Sequence, residues 1–117
     1  MTQQLSNSNG KKFAMYIPDS WVLVKIKNND YRVLAGWSGG YLSGSSWRLN
    51  SGVARVERAP GAGYDIHGDS GSVYRCFFGT YALRMSMALT AAALEKSGGK
   101  ILQKDDAIAY LGSLLSA

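Results

Sequence analysis

The chain has 117 residues, 46% of them apolar and 18% charged, with a net charge of +5. That composition describes one folded domain with enough apolar surface for a modest core, and excludes a disordered or low-complexity chain. Cys76 is the only cysteine, so an intramolecular disulfide is excluded, and no apolar run reaches membrane-spanning length.

Residues 1–10 are polar and rich in turn-forming types, which predicts a flexible tail ahead of a single domain over 11–117. With no apolar leader at this end, the expected compartment is the cytoplasm. Phe13 to Ile17 predicts a strand closed by Pro18-Asp19-Ser20. Trp21 to Lys27 predicts a second, with Val22, Val24 and Ile26 on one face and Lys25 and Lys27 on the other. Asn28-Asn29-Asp30 suits a tight hairpin turn, because Asn and Asp tolerate positive φ. Tyr31 to Trp37 returns antiparallel. Short strands then follow over Ser45 to Asn50, Val53 to Arg58, Tyr64 to His67 and Val73 to Phe78, separated by Gly, Ser and Pro.

At Gly79 the character changes. Thr80 is placed to cap a helix running from Tyr81 to Lys96, which Ser97-Gly98-Gly99 ends. Lys104-Asp105-Asp106 opens a second, amphipathic helix with acids at its positive end. The expected fold is α+β: an antiparallel sheet of about six or seven short strands, followed by a C-terminal two-helix hairpin. The first helix is apolar nearly all round, which implies burial on two sides, as a homo-oligomer would provide.

The positive charge is concentrated. Residues 11–58 carry eight basic side chains against three acidic ones, and the remainder is balanced. Lys25, Lys27, Arg32 and Arg55 are the candidates for a basic face, able to dock an acidic partner or nucleic acid. The most informative pattern is an echo: Ser43-Gly44-Ser45-Ser46-Trp47-Arg48 and Ser70-Gly71-Ser72-Val73-Tyr74-Arg75 share Ser-Gly-Ser-x-aromatic-Arg. Arginine binds phosphate with a bidentate fork, and aromatic rings stack on bases. Alternation along a strand sends ring and guanidinium to opposite faces, so one copy alone cannot be a complete site. Trp47, Arg48, Tyr74, Arg75 and Arg84 are the candidate binding set for a small anionic nucleotide. The same residues also serve as ordinary core rings and solvated charges.

Catalytic patterns fail on chemistry. Gly68-Asp69-Ser70-Gly71 resembles a serine-protease nucleophile loop, but the single histidine, His67, lies on the same hairpin, and the chain is too short for two barrels. Asp65, His67 and Asp69 alternate along one strand face and read better as a polar edge than as a cation site. Neither glycine-rich stretch has the Lys-Ser/Thr of a P-loop. No catalytic residue, metal or cofactor is expected.

Tyr31 to Trp37, Ser46 to Val53, Ser70 to Cys76 and Tyr81 to Met85 together resemble small accessory proteins of bacteriophages and prophages, over roughly residues 13–90. The resemblance implies a counter-defence role in the host bacterial cytoplasm. One version is a sponge that sequesters a cyclic-nucleotide signal. The alternatives are an anti-CRISPR-like inhibitor of a host defence protein and a single-stranded nucleic-acid binder.

Overall fold

The computed structural model describes residues 3–6, 12–38 and 46–115. Eight strands precede the first helix: β1 (Gln3–Ser6), β2 (Lys12–Tyr16), β3 (Ser20–Lys25), β4 (Tyr31–Trp37), β5 (Ser46–Leu49), β6 (Val53–Ala59), β7 (Gly63–Gly68) and β8 (Val73–Phe77). A 3-10 turn, Phe78–Thr80, leads to α1 (Met85–Lys96), a short strand β9 (Lys100–Ile101) and α2 (Lys104–Ser113). The strands form two sheets, one of five in the order β1-β2-β8-β7-β6 and one of four in the order β5-β4-β3-β9.

The α+β class holds, with more strands than expected and in two sheets rather than one. Most pairings are antiparallel, but β2 joins β8 in parallel. These two strands are far apart in sequence, so no hairpin dictates their direction. The expected tail contains β1, which pairs with β2 from Gln3 opposite Met15 to Ser6 opposite Lys12.

The four-stranded sheet is buried on both faces, which organises the rest of the fold. Trp21 and Leu23 of β3 and Val33 and Ala35 of β4 point toward the five-stranded sheet. There they meet Val56, Tyr64, Ile66, Tyr74 and Cys76 in the main core. Val22, Val24 and Leu34 point the other way and are covered by Met87 and Ala91 of α1, with Ile26 packed alongside. Strands covered on both sides read as continuous apolar runs rather than alternating ones, and Trp-Val-Leu-Val at 21–24 is such a run. The β3–β4 turn forms as the sequence requires, with Asn28 at φ 52° and Asn29 at φ 66°.

The two helices are not a hairpin. β9 runs between them and pairs antiparallel with the edge of β3. Ala107 and Leu111 of α2 enter the main core, whereas α1 lies on the far face of the four-stranded sheet. Helix α1 also starts later than expected. Thr80 belongs to the 3-10 turn, where its hydroxyl donates to the Phe77 carbonyl, and Arg84 is the N-cap of α1. The buried Met87 sulfur accepts from the Arg84 N–H at 3.5 Å and from the Ser20 hydroxyl at 3.2 Å. No described helix is long and apolar enough to cross a membrane.

Side chains tie the sheets together. The Trp21 indole donates to the Phe77 carbonyl at 2.7 Å. The Tyr81 hydroxyl accepts from the Leu23 N–H at 3.1 Å and donates to the Leu102 carbonyl. Asn50, buried beyond the end of β5, accepts from the Val33 N–H at 2.8 Å and the Gly52 N–H at 3.3 Å, and donates to the Gly52 carbonyl at 3.2 Å. Asn50→Ala leaves the Val33 and Gly52 N–H groups without this acceptor, while the Gly52 carbonyl keeps its bond from the Asp69 N–H. We expect a loss of about 1–3 kcal/mol in urea unfolding, read as a lower midpoint at unchanged slope.

Candidate functional site

The two echoed segments meet, as the two sides of one corner. Ser43, Gly44 and Ser45 of the first copy lie outside the described residues. Its continuation, Asn50-Ser51-Gly52, docks on the turn of the second copy. The Asp69 N–H donates to the Gly52 carbonyl at 3.2 Å, the Ser70 N–H to the Ser51 hydroxyl at 2.9 Å, and the Ser51 hydroxyl to Ser70 Oγ at 3.2 Å. Gly52 sits at φ +130°, which favours glycine, and a Cβ there, 2.5 Å from the exposed Asp69 carboxylate, would displace it.

This corner ties the chain leaving β5 to the turn between β7 and β8. Arg48 pairs with Ala35 in the β4–β5 ladder and leaves the sheet on the core side. Its guanidinium stacks on the Tyr16 ring at 4.5 Å and also reaches the Tyr74 hydroxyl. Tyr16 packs on Tyr74 at 5.1 Å and edge-on against Trp37 at 6.0 Å. The interaction with Tyr74 raises the Arg48 pKa above its usual value. Burial pushes the Tyr74 hydroxyl up, while Arg48 pulls it the other way. The result is an exposed guanidinium on a buried aromatic floor, with no carboxylate partner among the described residues.

The other expected binding residues lie elsewhere. Alternation puts Trp47 on the α1 side of β5, where it is 47% exposed. Arg75 leaves β8 on the face opposite Tyr74 and is held by Asp65 through two hydrogen bonds of 2.8 and 2.9 Å. The Asp65 interaction raises the Arg75 pKa. Arg84 caps α1 on the far face of the four-stranded sheet. Arg48 and Arg75 therefore do not converge; what converges is the arginine of the first copy and the tyrosine of the second. Tyr16 completes the platform, and no motif marked it in the sequence.

The basic face does not assemble either. Arg32 is paired with Asp30 at 3.2 Å and Arg55 with Glu57 at 2.7 Å. Lys25 stands opposite Lys100 and lines a separate cleft of about 380 Å³ with Tyr31, Leu102 and Asp106, while Lys27 is exposed in the turn.

The protease-like and metal-like patterns are accounted for by local pairing. His67 Nε2 donates to Glu57 at 2.9 Å, in the tautomer whose Nδ1 accepts from Arg55 at 3.4 Å. The histidine is thus directed along the sheet surface to Glu57, and its hydrogen bond lowers the Glu57 pKa. No cluster of three potential metal ligands occurs among the described residues.

Comparison with family models, with curated proteins and with solved structures finds no match. The functional reading therefore rests on the chemistry of the site.

Cys76, two residues beyond Tyr74 on β8, is fully buried in the main core, and burial pushes its thiol pKa well above the ordinary range. We expect an aromatic disulfide reagent to leave the native protein unlabelled and to modify Cys76 only as the chain unfolds. Rapid stoichiometric labelling of folded protein would show that the core opens here.

Proposed function

We propose that the protein is a non-enzymatic binding module that captures a small anionic nucleotide at Arg48, on the platform of Tyr16 and Tyr74. The observation that carries this reading is the state of Arg48. Arg32, Arg55 and Arg75 each spend their charge on a neighbouring carboxylate. Arg48 instead has one face of its guanidinium stacked on Tyr16 and its edge open to solvent. Stacking restricts the side chain before a ligand arrives, so less rotamer entropy is lost on binding. An aromatic floor adds no negative charge to compete with phosphate. Trp37, half-buried, packs edge-to-face with Tyr16 and extends the aromatic platform.

The resemblance to phage accessory proteins supplies the setting: a counter-defence sponge that holds a host nucleotide signal without turning it over. An inhibitor of a host defence protein, or a single-stranded nucleic-acid binder, would draw on the basic face. The division of that face among ion pairs and separate surfaces favours the small-ligand reading.

Ligand that binds only the folded state raises its stability by about 2.7 kcal/mol at a concentration of one hundred times Kd. Thermal unfolding against a panel of cyclic and linear nucleotides should show such a rise for at least one member. Arg48→Ala removes charge-assisted hydrogen bonds of about 1.5–3 kcal/mol, so affinity should fall roughly tenfold to a hundredfold. Arg75→Gln, on the opposite face of β8, should bind as the parent does. A flat response across the panel, or equal binding by Arg48→Ala, would overturn the reading.

A further inference from the structure

Helix α1 has an inner face that the fold uses and an outer face that it does not. Met87 and Ala91 are buried against the four-stranded sheet. On the outside, Met85 is 90% exposed and Leu89 86%, four residues apart, with Ala88, Ala92 and Ala93 exposed around them. A lone exposed leucine is ordinary. An apolar stripe along successive turns of a helix is the pattern of a buried face.

One flank of the stripe carries opposite charges at its two ends, and Lys96, exposed in the last turn, continues the line of Met85, Leu89 and Ala92. Arg84 sits at the N-cap and Glu95 in the last turn, both exposed and neither in an ion pair among the described residues. We infer that the outer face of α1 is covered by a second copy of the chain, α1 against α1, antiparallel about a twofold axis near Leu89. A twofold contact must be self-complementary, and only the antiparallel arrangement makes this one so. It sets Arg84 beside Glu95 of the partner subunit at both ends, where a parallel pair would oppose like charges. The alanines allow close approach of the two backbones, and Met85 and Leu89 fill the space between them. The helix dipoles also run in opposite directions. Lys96, one residue beyond Glu95, lies over its own helix's negative end.

A pair of 12-residue helices buries less than the about 1,200–2,000 Å² of a standard stable interface. The dimer is therefore a concentration-dependent one. It forms on the side of the four-stranded sheet away from Arg48, so it stands or falls independently of the nucleotide site.

Sedimentation velocity of the full chain over a concentration series tests it. The parent should show a monomer–dimer equilibrium, and Leu89→Glu, at a position exposed in the monomer, should be monomeric throughout with an unchanged circular dichroism spectrum. Arg84→Glu and Glu95→Arg should each weaken association about tenfold, since the symmetry turns two attractions into two repulsions. The double variant Arg84→Glu/Glu95→Arg should restore association. A parent that stays monomeric, a dimer indifferent to Leu89→Glu, or a double variant no tighter than the single ones would overturn the inference.

Discussion

The corner formed by Asn50, Ser51 and Gly52 against the turn from Gly68 to Ser72 is the constraint from which the rest of the molecule takes its alignment. Asn50 continues the β4 ladder with side-chain and main-chain bonds to Val33. Two residues on, Gly52 is already bonded to Asp69 of the other sheet. Within three residues the chain leaves one sheet and is fixed to the second. The relative placement of β5 and β8 follows from this, and with it the approach of Arg48 to Tyr74. A side chain at Gly52 would be strained at φ +130° and would push on the Asp69 carboxylate, and loss of the Asn50 amide would remove the side-chain bond to Val33 of β4. Small local changes here therefore reach a site built from rings elsewhere.

Local features were legible in the sequence. The Asn28-Asn29 turn, the strands on either side of it and the start of α2 follow from positive-φ tolerance, apolar pattern and acids at the helix start. Two-sided burial of β3 was half visible: Val22 and Val24 read as one inward face, but Trp21 and Leu23 face a second core. Non-local pairings were not legible. Nothing in Lys100-Ile101 announces an edge strand on β3, and a strand of two residues is below the reach of any periodicity. The late start of α1 reflects Tyr81, which pairs with Trp21 and whose hydroxyl bonds to Leu23 and Leu102 hold the chain from 81 to 84 against β3.

The candidate site was legible in its parts and not in its assembly. Alternation correctly separates Trp47 from Arg48 and Tyr74 from Arg75. It cannot say that the arginine of one copy meets the ring of the other, because that contact spans two sheets. The Asp65–Arg75 pair was within reach of sequence reasoning, since both residues flank the hairpin turn at matched distances and face each other in the β7–β8 register. Such cross-strand pairs take charges out of play. Among the described arginines left without a carboxylate, Arg48, Arg58 and Arg84, Arg48 is the one held on an aromatic ring. The four-stranded sheet then divides the molecule's exposed chemistry: cation and rings on its core side, the apolar outer face of α1 on the other.

The claim that Arg48 is the anion-binding group is tested most directly by NMR of the arginine side-chain Nε–H resonances during nucleotide titration. The account predicts that one resonance, absent in Arg48→Lys, shifts saturably while that of Arg75 stays in place. Saturable shifts at Arg75 or Arg84 with Arg48 unmoved would contradict it.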